Sequence, residues 1–364
     1  MKKKCIIAVG LILTILITII IIIKDKNTEY LIKDGIMLAL TLDGEKITEY
    51  PTGTNYYVDI ACENGNGQWL VEDWKLVIKN ITGNVKCNID FSSNPKTLSE
   101  VILENATYES DAGGSYRYSG KNPNNYISFN NDKYRIIAAE NGSSIGLTSG
   151  VFYSKIIREN SIGNLKYSTS SSYGRYRQSS VYTLLNNNFY SSTESGMNAQ
   201  SNTYCYTYTT TQRGKCDYTN IGILSTGFYG RMVITANWRV GETDSSEAYT
   251  GWTTYQNESL TKFSTKIGLL SVSDYAFAAS ARDVGVSEYR ISENNWLYNN
   301  DEWTMISNDD NISYTMYISS RGNVSWTTNT TKNAYSVRPV MYLDPSVYVV
   351  SGDGSITNPY QIGM

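Results

Sequence analysis

The sequence contains no histidine. That removes the commonest general base and the commonest transition-metal ligand, and with them Ser-His-Asp and Cys-His catalytic arrangements. Charge is scarce too: Asp, Glu, Lys and Arg make up 18% of 364 residues. No stripe of clustered Lys and Arg runs through the chain, so the phosphate-neutralising surface that nucleic acid requires is missing. There is no P-loop, dinucleotide fingerprint or EF-hand loop. None of the five cysteines sits in a CxxC pair, and thiols without that spacing or any imidazole make a poor zinc site.

What is abundant is tyrosine, at 31 residues, within a hydrophobic fraction of 41%. That is enough apolar surface for one large domain with a small companion. The polar exterior is built mostly from Asn, Ser, Thr and Tyr, which offer hydrogen bonds and flat aromatic faces, a palette shared with binding loops. AT-rich codon usage produces the same composition, so both explanations stand.

One long apolar run exists. Lys2, Lys3 and Lys4 precede an uncharged stretch from Cys5 to Ile23, followed by Lys24-Asp25-Lys26. As a helix rising ~1.5 Å per residue it nearly crosses a ~30 Å hydrocarbon core. No small-x-small exit follows, and Cys5 opens the run where a lipoprotein cysteine would close it. The expectation is an uncleaved single-pass anchor, N-terminus cytoplasmic and the remainder extracellular, with a cleaved signal peptide as the alternative. Residues 1–26 carry +4, leaving −7 for the rest. Outside the cytoplasm, Cys62 with Cys87 and Cys205 with Cys216 suggest two disulfides.

The chain divides into a leader and anchor (1–26), a small disulfide-linked β module acting as a stalk (27–92), a stretch with a short helix (93–120) and a head (121–364). In the module, LALTL and EKITEY flank an Asp43-Gly44 hairpin turn, and YYVDIAC, WKLVIKN and VKCNIDF alternate as strands. Trp69 and Trp74 are expected beside the Cys62–Cys87 bridge. Thr97-Leu98-Ser99-Glu100 is a capping box that opens a helix, in a segment that is either a linker or the next domain's first element. In the head, KYRIIAA and SIGLTS flank a hairpin at Glu140–Ser143, and Val181, Leu184, Leu185 and Phe189 recur at helical spacing. KIGLLSVSDYAFAAS reads as a buried strand entering a turn, and TMYI and NVSW as a hairpin. Short strands with few helices predict an α+β fold.

The stretches GKNPNNYISFNNDKYRII, LLNNNFY, KIGLLSVSDYAFA, NNWLY, EWTMIS and VRPVMYLDPSVYVVSGDGSITNPY resemble an uncharacterised family of surface proteins from Gram-positive gut bacteria, over residues 120–362. EWTMIS, a hairpin ending in Gly-Asn-Val and then SVRPVMYL are similar to the C-type-lectin-like fold, in the branch of formylglycine-generating enzymes and diversified receptor-binding proteins. The resemblance implies a C-type-lectin-like head with recognition loops on buried strands. That branch's oxidative chemistry uses late cysteines, and none follows Cys216 here. The calcium motifs of sugar-binding lectins are absent as well.

Candidate contact residues are therefore polar loops: Asn308, Asp309, Asp310 and Asn311, then Trp326, Asn329, Lys332, Asn333 and Tyr335. Each is equally readable as an ordinary solvated loop position, and Trp326, which shares a strand face with Val324, as core. Trp296 and Trp303 read as core anchors. Asp301, Glu302, Asp309 and Asp310 offer oxygen ligands to calcium or form a solvated acidic loop. The expectation is a membrane-anchored binding protein for a glycan, cell-wall component or protein, with no cofactor, no metal, no catalytic residues and no nucleic acid partner. The alternatives are a carboxylate hydrolase built on a pair such as Asp301 and Glu302, and a structural envelope protein.

Overall fold

A computed structural model describes residues 22–25, 28–33, 35–168, 175–195, 205–206, 213–214, 216–242, 249–279, 283–284, 294–299, 301–307, 314–328 and 333–364. The chain forms two compact units, Met1–Ser93 and Asn94–Met364. The fold is mostly β with few helices. Among the described residues no helix is long and apolar enough to cross a membrane. The expected anchor lies outside them except for Ile22 and Ile23, which are extended within the strand Ile22–Asp25.

In the first unit, Ile22–Asp25, Thr28–Lys33, Ile36–Leu42, Lys86–Ser93 and Tyr56–Glu63 pair in that order, and Ile36–Leu42 runs parallel to Lys86–Ser93. Asp43 and Gly44 both have positive φ, at 51° and 83°, which suits the two-residue turn into Glu45–Lys46. Cys62 and Cys87 face each other directly across two antiparallel strands and are bonded. The second layer is the hairpin Asn66–Leu70 with Lys75–Lys79. It lies close over the bridge because Gly67 has no side chain: a Cβ there would sit 2.7 Å from the Cys62 sulfur. Trp69 is 1% exposed and lies edge-on to Tyr50, Trp74 and Phe91 at 5.2 Å each. The two tryptophans thus centre on Phe91 and Tyr50, and Gly67 covers the bridge.

The second unit starts with Leu98–Asn105. Its capping box is formed as expected, with Thr97 and Glu100 exchanging side-chain and backbone bonds. Leu98, Val101 and Ile102 are buried, so this segment is the domain's first element. The main sheet runs Val233–Ile234, Val340–Leu343, Phe152–Arg158, Asp132–Asn141, Tyr126–Phe129, Tyr360–Gly363, Tyr348–Ser351. A second sheet contains Asn164–Lys166, Ala334–Ser336, Glu302–Ser307, Thr315–Ile318 and Val324–Thr327 in that order.

Two local expectations differ. SIGLTS is not the return strand of a tight hairpin. Asn141 Oδ1 accepts the Ser143 and Gly150 amides, winding Gly142–Ile145 into a 3-10 turn, and Phe152–Arg158 returns instead. KIGLLSVSDYAFAAS enters a helix, Val272–Phe277, not a turn. Ser271 and Asp274 form a second capping box there, the acidic form of the same S-x-x-[DE] signal. The helix over Val181, Leu184, Leu185 and Phe189 forms, with all four buried.

Asp274 ties that helix to the main sheet. Its carboxylate accepts from Arg117 at 2.8 Å and from Lys155 at 2.6 Å. Glu140 in turn accepts from Arg117 and Arg239. All five side chains are buried. The cations also lie against rings: Arg239 over Tyr255, Lys155 between Trp238 and Tyr342, and Arg117 over Phe277. Burial alone would push both carboxyls up. The surrounding Lys155 and Arg117 instead pull Asp274 down to about 2, and Arg239, Lys155 and Arg117 hold Glu140 well below its ordinary value. Glu258 is buried beside them and accepts from the Ser273 amide and hydroxyl. Desolvation pushes it up to about 7.

Two measurements test this fold. Cys62→Ser should destabilise the first unit by roughly 3 kcal/mol in denaturant unfolding, since the bridge closes a loop of 25 residues. Glu258 favours its neutral form in the fold, so its contribution is complete below the ordinary carboxylate pKa and is lost as pH rises through about 7. Stability of the second unit should therefore fall by about 3 kcal/mol more in the native chain than in Glu258→Gln between pH 4.5 and 8. Parallel curves would show that Glu258 is ionised in the fold.

Candidate functional site

The acidic pair Asp301–Glu302 is the sequence's candidate for calcium binding or hydrolysis. Glu302 is wholly buried. Arg338 grips it with both ends of its guanidinium, at 2.8 and 2.7 Å, and also donates to the Leu297 carbonyl. Burial raises the Glu302 carboxyl and Arg338 only partly offsets it. Asp301 accepts the Ser320 amide at 2.8 Å, and its backbone carbonyl accepts from Ser336. Glu302 is structural: it is sealed by Arg338 and presents nothing to a cation or a sugar, so the two acids do not form a working pair. Asp309 and Asp310 lie outside the described residues.

Strand register decides the remaining candidates. Glu302 opposes Ile318 and Ser336, while Trp303 opposes Tyr317. Met316 opposes Trp326, and Tyr317 opposes Ser325. Directly opposed residues share a sheet face and neighbours alternate. Trp326 therefore lies on the face of Met316 and Val324, and Tyr335 on the other, with Trp303 and Tyr317. The ring centroids agree, at 4.5 Å for Trp303–Tyr335 and 4.6 Å for Tyr317–Tyr335. Asn333 donates to the Tyr335 hydroxyl at 2.8 Å. Asn333 and Tyr335 thus come together, and Trp326 does not join them. Asn308, Asn311, Asn329 and Lys332 lie outside the described residues, as does the side chain of Cys205. Cys216 is disulfide-bonded.

Of the three late tryptophans, Trp296 and Trp303 are core, donating to the Tyr118 and Leu165 carbonyls. Trp326 is 41% exposed and stacks flat on Tyr314 at 4.7 Å, which excludes the core reading for its indole.

A cleft of ligand size lies among residues outside the sequence candidates. It encloses about 360 Å3, within the usual range of roughly 300–1,000 Å3 for ligand pockets. Its floor includes Met305 and Ser307, at the end of the strand from which the predicted loop departs. One wall is the 3-10 turn Tyr176–Gln178, with Arg175 before it. The facing wall is the strand Lys262–Thr265, paired with Ala236–Arg239. Tyr176 is pinned by donating its hydroxyl to the Ile267 carbonyl, and meets Tyr182 edge-on and Phe263 at 6.0 Å. Gly268 is required nearby because any Cβ would strike the Trp238 ring.

Arg175 donates twice to Glu242, at 2.6 and 3.0 Å. Glu242 is the only carboxylate among the described lining residues. Arg177 is exposed and has no partner among the described residues. The signal was present as RYRQ, two arginines about a tyrosine in a chain poor in charge. A second hollow of about 340 Å3 has Asp132 as its only described acid, already paired with Arg158.

Arg338→Met should destabilise the second unit by about 3–5 kcal/mol, because Glu302 is then buried without compensation. Trp326→Ala should lose only about 1 kcal/mol, the value of an aromatic pair at the surface. Denaturant unfolding of both variants checks the contrast. No family model, curated protein or solved structure matches this chain.

Proposed function

We propose that the chain is an extracytoplasmic binding protein, held at the membrane by its N-terminal apolar run, that recognises a glycan or cell-wall component without catalysis. The observation that carries this is the cleft between Tyr176–Gln178 and Lys262–Thr265. It brings aromatic, hydroxyl and amide side chains and a guanidinium with no partner among the described residues to one accessible hollow. A carboxylate hydrolase needs two acids roughly 5–9.5 Å apart across its cleft. This lining holds one described acid, and that acid is engaged by Arg175. The Cys62–Cys87 bond supports an oxidising location. The likeness of EWTMIS and SVRPVMYL to C-type-lectin-like heads supports a recognition scaffold, since loops on rigid sheets commonly carry binding.

The test is a glycan array and a cell-wall pull-down with the full chain in detergent, alongside labelling of intact cells with a membrane-impermeant lysine reagent. Capture of a glycan and labelling from outside are expected. Folded protein that is blank on both binding assays, or shielded from the reagent, would overturn the proposal.

A further inference from the structure

The described lining of the cleft carries a charge opposite to that of the chain. The whole sequence is net −3, yet Arg175, Arg177 and Lys262 line one hollow with Glu242 as the single described acid. Glu242 neutralises Arg175. Lys262 directs its ammonium to the Ser144 carbonyl at 3.1 Å, which satisfies one donor and leaves its charge uncompensated. Arg177 is not engaged at all among the described residues. Arg177 and Lys262 are therefore positive lining residues without a described counter-ion, and of the two only the Arg177 guanidinium is not already directed at another described group. In a chain this poor in charge, such a focus selects for the sign of what enters.

The uncharged lining narrows the class further. Phe263 is half-buried, so part of its ring meets the hollow, and Tyr176 closes the depth behind it. Gln178, Thr261 and Ser307 bring amide and hydroxyl groups to the same space. An apolar face ringed by exchangeable hydrogen-bonding groups suits a hydroxylated ring, which has both. The enclosed volume suits a compact unit better than a duplex or a helix. A guanidinium matches the two-oxygen edge of a carboxylate or phosphate in a way an ammonium does not.

We propose that this cleft takes a saccharide carrying an anionic substituent, a carboxylate or a phosphate, and that Arg177 holds the anion while Phe263 bears the ring. This rests on the binding function proposed above and names its ligand class. Glu242 acts as a resident competitor: it occupies Arg175 when the site is empty and repels the incoming anion.

Titration calorimetry on the full chain in detergent tests it with four probes: a short oligogalacturonate, a phosphorylated mannose oligosaccharide, a neutral galactose oligosaccharide and a glutamate oligopeptide. At least one acidic sugar should bind, and the two arms decide between carboxylate and phosphate. The neutral sugar should bind at least about ten-fold more weakly, the difference expected for one charge-assisted contact. Arg177→Gln should weaken the acidic sugar by a similar factor and leave the neutral sugar unchanged. Glu242→Gln should tighten the acidic sugar. Because Arg177 is exposed and has no partner among the described residues, its replacement leaves the fold intact, which an unchanged unfolding curve verifies. Rising salt should weaken only the acidic sugars.

Equal binding of neutral and acidic sugars, or acidic binding indifferent to Arg177→Gln, overturns the inference. Equal binding of the glutamate peptide overturns its saccharide part. If the wider glycan screen finds a neutral ligand, the binding function stands and this ligand class falls. If no glycan binds anywhere, both fall.

Discussion

Asp274 receiving Arg117 and Lys155 inside the second unit is the contact on which the rest of that unit is aligned. The partners are separated by 157 and 119 residues in sequence, and Glu140 and Arg239 complete the same network. Desolvating five charges is costly, and such a network is no more stabilising than an apolar core of equal volume. Its geometry is nonetheless exacting. The strands Ser115–Arg117, Asp132–Asn141 and Phe152–Arg158 must be in one register for the charges to meet, because a slip by one residue turns every side chain to the other face. The helix Val272–Phe277 must also present its capping acid inward. The same acid that starts the helix therefore locates it on the sheet.

The first unit solves a different problem. It is too short to bury a large core, and small modules of this kind commonly depend on covalent bracing. The Cys62–Cys87 bond and the cluster of Trp69, Trp74, Tyr50 and Phe91 supply that bracing from two layers. The larger unit buries three tryptophans, each with its indole N–H satisfied by a carbonyl: Trp296 on Tyr118, Trp303 on Leu165 and Trp238 on Thr265. Arg135 lies between Tyr126 and Trp296, so even this buried cation contributes to aromatic packing.

Local signals were the legible part of the fold. Thr97 with Glu100, Asp43 with Gly44, and the apolar spacing through Phe189 each depend on neighbours within a few residues, and each formed as read. The Gly142 region and the segment after Gly268 misled for equally local reasons. Asn141 competes for backbone amides through its side chain, and Asp274 can replace Glu in a capping box. The candidate site was less legible. Trp326 and Tyr335 sit nine positions apart in a polar stretch and read as one surface, yet strand pairing puts them on opposite faces. Glu302 reads as solvent-facing beside Asp301, until Arg338 from another strand closes over it. RYRQ carries no local signal of a site because the residues that line the cleft with it, Glu242, Lys262 and Phe263, come from distant stretches.

By itself the sequence determined composition-level chemistry: no imidazole, little charge, an even set of cysteines after the apolar run and short strands of alternating pattern, hence the expectation of an α+β fold with a polar exterior. Those properties are sums or short-range correlations along one chain. Only the tertiary structure decided which acids are sealed, which tryptophans are exposed and where Arg175, Arg177, Lys262 and Phe263 come to line one cleft. These depend on register and burial, and both are set by pairings between residues far apart in sequence.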